Sequence, residues 1–336
     1  MNNTIKVWAL GGVAAKVVSR LRKTVITSDG ITPTLDYSYI DTSTSEVRYI
    51  PSSDELHLVT SKTGLSGSGG KTGRSFEVAS EQVPGIVASE METNVINFLI
   101  ASTGGGSGSM LMYLVAKELL DKGEAVVCFI TNTTDTVSRC HNAVTIMTSI
   151  NNLAEEKNVV IPAFIYDTTD SPDFTTSDAI MIDDICVTAA MLSDTVVGLD
   201  DMDRRTALNP CLGGHEDSVE PGVKAVSLYE GVVYEPKAPV VSALTLIDPG
   251  SSDNIGTGAS FIFSGVLSPE FKQLHLKDKT PNALSLLMSD NAVSNWVGET
   301  NRKYEKLLSN RSSTFRGDKI AVTSKAKTNN NGGFIS

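Results

Sequence analysis

The sequence predicts an α/β protein in which a parallel sheet wrapped by helices is followed by a long connecting helix and a smaller α/β domain. Two observations predict this fold class. Apolar strand-like runs alternate with helical stretches through the amino-terminal half, and a glycine-rich run at 104–109 lies between a strand-like and a helix-like segment. The 336 residues give room for two domains that share a substantial core.

The first predicted domain covers residues 1–177 and is built from alternating elements. Strands are predicted over 5–10, 37–40, 95–100, 126–130 and 159–166, and helices over 13–21, 110–120 and 142–153. In parallel sheets of this kind, ligands lie beyond the carboxyl ends of the strands. We therefore expect the loops after Leu10, Ile40, Ile100 and Ile130 to line one pocket.

The second half begins with an apolar segment, 178–198, which predicts a central connecting helix because its apolar residues face more than one side. The smaller domain, 199–310, is predicted to hold strands over 240–247 and 261–267. An amphipathic helix is predicted over 281–308, with a break near Gly298.

The final segment, 311–336, is a basic tail on an acidic chain. It carries five basic residues and one acidic residue, a local charge of +4, whereas the whole chain has a net charge of −11, which leaves −15 for the body. Such a tail either docks onto a neighbouring copy of the chain or stays solvated.

Composition narrows the functional class. No apolar run approaches the roughly 18 residues that span a bilayer, and the amino terminus lacks a signal-peptide pattern, so we expect a cytoplasmic protein without a membrane partner. The net charge of −11 argues against direct nucleic-acid binding by the body. The four cysteines are far apart without a CxxC pair, which favours buried free thiols over disulfides or a metal–thiolate site.

The glycine-rich run has the sequence context of a phosphate-binding loop. Backbone N–H groups at the start of a helix hold phosphate through hydrogen bonds and the helix dipole, and glycine lets the anion approach closely. A flexible linker is the alternative, but linkers do not lie directly between an apolar strand and a helix. The residues predicted to contact phosphate here are Thr103, Gly104, Gly105, Gly106, Ser107, Gly108 and Ser109.

A rival phosphate loop lies upstream, where Gly69, Gly70 and Lys71 precede a threonine as in the Walker A pattern. That pattern needs glycine at the position of Leu65, the preceding segment 54–62 is polar and broken, and 73–75 does not open a firm helix. We expect instead a mobile loop whose N–H groups and Lys71 approach the outer phosphate. A Walker-type kinase or ATPase that uses Lys71 is the alternative.

Ordered motifs point to a family. The run at 104–109 resembles the GGGTGSG signature of tubulin, with Ser107 and Ser109 as departures, and 135–143 resembles tubulin's DTVxxxxNA. The stretch 173–180 is similar to the DAFGAANDVL that begins the central helix of FtsZ. The chain therefore resembles the tubulin/FtsZ superfamily, most closely the phage-encoded tubulins of the PhuZ group and plasmid TubZ. This implies a Rossmann-like nucleotide domain, a long central helix, a smaller C-terminal α/β domain and an extended tail.

The resemblance assigns nucleotide contacts to specific residues. Asp135 would contact the ribose, Phe174 would stack on the base, and Asp178 would accept hydrogen bonds from guanine N1–H and the 2-amino group. Each has a plainer interpretation as a turn residue, a core residue or a helix amino-terminal residue. Tubulin's glutamate in the ribose loop falls on Arg139 here.

The segment 198–203 resembles the FtsZ loop NxDxxD, which follows the central helix. Asp178 and Asp200 are 22 positions apart, the separation found in FtsZ-type proteins. In this family the loop enters the nucleotide pocket of the next subunit, so Asp200 and Asp203 are the implied catalytic residues, with Asp201 as a further candidate. A solvated acidic turn is the alternative.

Gly11 and Gly12 lie between a predicted strand and a predicted helix, and this stretch resembles the first nucleotide loop of the family. Lys16 stands where the family has a base-contacting asparagine, and it would reach a phosphate or point to solvent. Asp41 falls at the family's acidic position near magnesium, which it would hold directly or through water, or else it caps a turn.

The resemblance implies a GTPase that binds GTP, GDP and Mg²⁺ and assembles head to tail into filaments that position DNA or phage particles in a bacterial cytoplasm. A DNA-bound adaptor or phage cargo is an implied partner, and the tail 311–336 would bind the adjacent subunit. The alternative from a different class is a structural or regulatory protein that keeps the fold without catalysis.

Overall fold

The computed structural model describes residues 4–24, 32–60, 67, 73–168, 174–193, 195–213, 219–231, 239–249, 259–276, 281–290 and 292–317. The strands are β1 (Thr4–Leu10), β2 (Thr34–Asp41), β3 (Leu56–Leu58), β4 (Ile96–Ser102), β5 (Ala125–Asn132), β6 (Val160–Asp167), β7 (Gly222–Glu230), β8 (Val240–Ile247), β9 (Phe261–Val266) and β10 (Ala283–Ser289). The helices are α1 (Gly11–Thr24), α2 (Gly73–Glu90), α3 (Gly106–Asp121), α4 (Val137–Glu156), α5 (Phe174–Met191), α6 (Asp201–Leu208), α7 (Pro269–Phe271) and α8 (Ala292–Gly317).

The strands form one sheet in the order β3-β2-β1-β4-β5-β6-β7-β10-β8-β9. Neighbouring strands from β3 to β7 are parallel, β10 is antiparallel to both β7 and β8, and β9 is parallel to β8. The order of the first six strands is that of doubly wound nucleotide-binding sheets, in which the direction of winding reverses between β1 and β4. A crevice for a ligand is expected at the carboxyl ends of these two strands.

The core is divided by the sheet into two layers. Successive residues of β1 face opposite sides, so Val7 packs with α1 and α5, whereas Trp8 packs with α2, α3 and α4. Both side chains are fully buried. Because every parallel strand in the middle of the sheet is covered on both faces, these strands read in the sequence as continuous apolar runs.

The alternating strands and helices predicted for the amino-terminal half are confirmed, as is the α/β class with its mostly parallel sheet. The central helix begins at Phe174 and ends at Met191, earlier at both ends than predicted. α2 begins at Gly73, so the expectation that no firm helix follows residue 72 was wrong. Within the described ranges, no helix combines the length and apolar character that a membrane span requires.

The predicted helix over 281–308 was wrong in its first part. Residues 283–289 form β10, which lies between β7 and β8, and α8 begins only at Ala292. A buried central strand is a short apolar run that periodicity alone cannot distinguish from a buried helix. α8 then continues to Gly317, so residues 311–317 of the predicted tail are helical. The division of the chain into domains stays a prediction.

Candidate functional site

Two adjoining cavities lie at the carboxyl ends of β1, β2, β4 and β5. The first, of about 310 Å³, is bordered by the loop after β1, the end of β2 and the glycine-rich loop. The second, of about 330 Å³, extends toward β5 and α5. The two cavities share Val13, Lys16, Ser102 and Gly105. All four loops predicted to converge on one pocket contribute to these linings, which confirms that prediction.

The glycine-rich loop presents a helix amino terminus to the first cavity. α3 begins at Gly106, and its N-cap residue, Gly105, has an extended backbone and no side chain to cap the helix. Gly105, Gly106, Ser107 and Gly108 line the first cavity. The start of this 16-residue helix is a suitable place for an anion, because the first N–H groups of any helix have no partner within the helix and the helix dipole favours negative charge there.

Three glycines are required by the packing of loops against each other. A Cβ on Gly108 would lie 2.8 Å from the Leu10 carbonyl oxygen, and one on Gly11 would lie 2.9 Å from the Gly108 nitrogen. Gly11 also has a φ of +80°, which favours glycine. A Cβ on Gly104 would lie 2.7 Å from the Thr133 carbonyl oxygen. Sequence reasoning explained these glycines by the approach of phosphate, but the structure shows that close approach of neighbouring backbone also requires them.

Hydroxyl groups of the glycine-rich loop fix its shape. The Ser107 and Thr42 hydroxyl oxygens are 2.5 Å apart, which joins the loop to the end of β2. Thr103 is buried and donates to the Asn132 side chain at 2.8 Å, and Ser109 is buried and donates to the Gly105 carbonyl. Thr103 and Ser109 therefore support the loop from behind, and neither is among the residues lining the two cavities.

Two carboxylates line the first cavity. Asp41 is buried at the end of β2, and burial raises the pKa of its carboxyl group to about 6, against the opposing hydrogen bonds from backbone N–H groups. Glu46 lies nearby and pairs with Lys16 at 3.2 Å. Gly12 packs against Glu46, since a Cβ there would lie 2.7 Å from its Cγ. A buried carboxylate that resists ionisation gains from a cation placed beside it.

The donor set tests whether Mg²⁺ fits here. No cluster of three or more His, Cys, Asp or Glu side chains that would hold a metal occurs among the residues that the structure describes. Asp41 nevertheless supplies the hard oxygen ligand that Mg²⁺ prefers, next to the cavity bordered by the helix terminus. The residues therefore fit an ion that is held jointly by phosphate oxygens, water and Asp41, but not one held by protein ligands alone.

The second cavity ends at two ion pairs. Arg20 of α1 donates to the Asp178 carboxylate of α5 at 2.7 Å, and both residues line the cavity. Arg139 also lines it and donates to both oxygens of Asp135, at 3.0 and 2.8 Å. Asp135 itself is not among the lining residues and is half exposed. The position that departs from tubulin's glutamate thus faces the cavity, while the predicted ribose ligand holds it in place.

Sequence reasoning missed several residues that line the cavities. Arg20 follows Lys16 by four positions and therefore shares its side of α1, a spacing that could have indicated it. Thr131 and Thr133 follow the predicted strand 126–130, where the carboxyl-end rule could have found them. Glu46 had no signal in the sequence, because it reaches the cavity through an irregular segment after β2.

The predicted catalytic residues lie in a turn of their own at the start of α6. Asp200 is the N-cap of α6, and it forms a capping box with Asp203: the Asp203 N–H donates to Asp200 at 2.8 Å, and the Asp200 N–H donates to Asp203 at 3.1 Å. Asp201 pairs with Arg205 at 3.2 Å. The alternative predicted for the cluster was a solvated acidic turn, whereas the structure gives Asp200 and Asp203 a capping role, in which the carboxylates keep further lone pairs for other partners.

The acidic turn and the cavities belong to different ends of the domain. From Asp178 at the cavity, α5 leads away for about 20 Å at 1.5 Å per residue before it ends at Met191. After α6, the Asn209 side chain accepts from the Val160 N–H at the amino-terminal end of β6, the edge opposite the cavities. None of the three acidic residues is among the described residues that line either cavity.

Some predicted contacts cannot be located. Gly69, Gly70 and Lys71 lie outside the described residues, and Phe174 begins α5 with a side chain that the structure does not describe. Their roles, like nucleotide binding by the cavity residues, stay predictions.

The comparisons with known proteins agree with this geometry. Residues 4–163 match the model described as Tubulin/FtsZ family, GTPase domain. This segment, which contains the glycine-rich loop and most of both cavity linings, is similar to that family of GTPase domains. No curated protein matches the sequence.

Solved structures show the same fold over nearly the whole chain. A protofilament of TubZ from bacteriophage PhiKZ has a TM-score of 0.77 at 15% identity, over 94% of this chain and 93% of that one. The PhuZ201 filament has a TM-score of 0.77 at 15% identity, over 100% and 96%. The phage tubulin PhuZ with GDP has a TM-score of 0.75 at 16% identity, over 93% of each chain. The chain has the tubulin/FtsZ-like fold and resembles the phage tubulins.

Proposed function

We propose that the chain is a GTP-binding and GTP-hydrolysing subunit of a cytomotive filament, in which the neighbouring subunit completes the catalytic site. The observation that carries this proposal is the separation between the nucleotide cavity and the acidic turn. Asp200 and Asp203 belong to an end of the domain that a single chain does not bring to its own cavity. In a head-to-tail filament the same turn faces the cavity of the next copy.

The cavity offers a place for each part of the nucleotide. The start of α3 would hold the phosphates, Lys16 would add a positive charge next to them, and Asp41 would be a ligand for Mg²⁺. The ribose would lie toward Arg139 and Asp135, and the base would lie toward Asp178. When bound, Mg²⁺ would supply positive charge against the phosphates, and the carboxylates of the incoming turn would position the attacking water.

The exposed apolar residues of the two ends support head-to-tail assembly. Val13 and Val47 are exposed beside the cavities, and Val197 and Met202 are exposed next to the acidic turn. Large apolar side chains exposed at an interaction surface favour burial against a partner. The acidic turn also complements the basic side chains at the cavity, which suits contact between unlike ends of two copies.

The wider role follows the resemblance. We propose that the filament positions or segregates DNA or phage particles in the cytoplasm, through an adaptor or cargo, and that the segment 311–336 contacts the adjacent subunit. In the described part of this segment, residues 311–317 form the last turns of α8, a helix that packs against α4. The basic residues beyond it suit the acidic body of a neighbouring copy.

Phosphate release measured across a range of protein concentrations tests the proposal. Specific GTPase activity is expected to rise steeply above a critical concentration, at which electron microscopy shows filaments. Constant turnover per subunit at all concentrations, without filaments, would refute assembly-dependent hydrolysis. The second candidate, a filament-forming protein without catalysis, is favoured by the capping box that engages Asp200 and Asp203; it predicts filaments and nucleotide binding without phosphate release.

A further inference from the structure

Arg20 forms an ion pair with Asp178, and no function has yet been given to Arg20 above. Arg20 lies on α1, one turn after Lys16, and Asp178 lies near the start of α5, so the pair joins two helices across the wall of the second cavity. The Arg20 side chain is 47% exposed, whereas the Asp178 side chain is only 13% exposed. A pair with a partner this exposed contributes little to folding stability. Its position at the cavity points to recognition of a ligand.

We propose that Arg20 is a specificity-determining residue that, together with Asp178, reads the edge of guanine; this rests on the proposed nucleotide-binding function. The Watson–Crick edge of guanine presents an acceptor, O6, followed by two donors, N1–H and the 2-amino group. A guanidinium beside a carboxylate presents a donor followed by two acceptors. The pair therefore offers the complementary row, as cytosine does in a base pair.

The chemistry of the two side chains fits this row. Guanidinium and carboxylate are both planar, and an Arg–carboxylate pair tends to share one plane, which a flat purine edge can continue. Arg20 uses one N–H on Asp178 and has further donors for O6, the acceptor that arginine most often reads in guanine. Each carboxylate oxygen has two lone pairs, so Asp178 can accept from Arg20 and from the base at once.

The same arrangement of one donor and two acceptors disfavours adenine. Its 6-amino group would face the Arg20 donors, and its N1 lone pair would face the Asp178 carboxylate, so both groups of the pair would lose partners that water supplied. Hypoxanthine keeps O6 and N1–H and lacks only the 2-amino group. Arg20 therefore separates guanine from adenine, whereas the advantage of guanine over hypoxanthine depends on Asp178 alone.

Competition of GDP, IDP and ADP against a fluorescent GDP analogue tests this assignment in the full chain. For Arg20→Met we expect GDP affinity to fall by roughly tenfold or more, with ADP affinity unchanged or higher because the Arg20 donors no longer oppose the 6-amino group, so that the GDP/ADP affinity ratio falls while the GDP/IDP ratio stays constant. Asp178→Asn is expected to lower the GDP/IDP ratio. Lys23→Met, an exposed change on the same helix, is the matched control and should alter neither ratio.

The outcomes separate this inference from the proposed function. If Arg20→Met weakens GDP and ADP equally, or leaves both unchanged, Arg20 is a structural residue and the inference is wrong, while GTP binding and hydrolysis by the wild-type chain stand. If the wild-type chain binds none of the three nucleotides, the proposed function itself fails. The Tm of each variant is compared with that of the wild type, so that a change in affinity caused by unfolding of the variant is recognised.

Discussion

The acidic turn permits a test that separates catalysis from helix capping. Asp200 accepts from the Asp203 N–H at 2.8 Å, so Asp200→Ala removes both a carboxylate and a cap. Asp200→Asn keeps an acceptor oxygen in the same place and removes only the charge, since Asn is as good an N-cap residue as Asp. A loss of stability seen only in Asp200→Ala therefore reports the lost cap, whereas a loss of hydrolysis seen in both variants reports the lost carboxylate.

The size of each effect follows from the structure. Loss of the cap in Asp200→Ala costs about 1 kcal/mol of stability. Unfolding entropy is about 2 cal/mol/K per residue, so for this chain the cost corresponds to a decrease in Tm of about 1 to 2 °C. Asp200→Asn should stay within about 0.5 kcal/mol of the wild type. Both variants should lose hydrolysis by about a hundredfold, the usual scale for a positioned acid–base group.

A mixing experiment shows whether the turn acts on the neighbouring subunit. The partner variant is Gly105→Glu, which places a carboxylate between the two cavities and should prevent nucleotide binding by repelling phosphate. The fold should tolerate this change, because a Cβ on Gly105 meets no atom closer than 4.0 Å and its φ is −81°. Gly105→Ala is the matched control and should retain nucleotide binding.

The readout is phosphate release together with sedimentation of filaments. Asp200→Asn alone and Gly105→Glu alone should both be inactive, whereas their mixture should regain activity wherever an intact turn faces an intact cavity. Wild-type turnover by Asp200→Asn would refute a catalytic role for Asp200. Co-sedimentation of the two variants without recovery of activity would refute completion of the site by the neighbour.

Two further predictions concern the phosphate end of the site. Burial raises the pKa of Asp41 to about 6 from an ordinary value of 3.8, so the folded state gains stability as pH falls through 6. Binding of Mg²⁺ with nucleotide needs the ionised carboxylate. This binding should therefore weaken by about tenfold per pH unit below 6. Nucleotide titrations at pH 5 to 7 with Mg²⁺ or EDTA check this, and Asp41→Asn should reduce the pH dependence to that of the terminal phosphate of the nucleotide, which titrates in the same range. Gly108→Ala should lower the free energy of unfolding in urea by about 1 to 3 kcal/mol, because its Cβ would lie 2.8 Å from the Leu10 carbonyl oxygen. Gly105→Ala is the control and should be nearly neutral. Equal losses of stability in the two variants would show that the backbone contact does not require glycine at position 108.

The parts of the fold that were predicted from the sequence are those with strong local signals. The parallel strands of the first half are apolar runs separated by helices, and the glycine-rich loop stands between β4 and α3, so both were recognisable. β10 was not, because a strand buried between two neighbours on a mixed sheet has no periodicity of its own. β10 is recognised as a strand by its pairing with β7 and β8, which lie far from it in the sequence.

The site was predicted in part for the same reason. The loops at the carboxyl ends of the strands follow from topology, so their convergence needed no knowledge of side chains. The pairing of Arg20 with Asp178 depends on how α1 packs against α5, and the residues are 158 positions apart. No local pattern encodes such a contact. Lys16 lines both cavities, yet its partner Glu46 was not foreseen.

The central helix lies between the second cavity and the acidic turn. Near its start, α5 brings Asp178 to the second cavity, and beyond its end the chain turns into the N-cap of α6 at Asp200. The 22 positions between these two carboxylates include the helix, which is too long and too rigid to fold the turn back onto the cavity. In the proposed filament the turn therefore completes the site of the next copy, and hydrolysis is expected to depend on the presence of a neighbour.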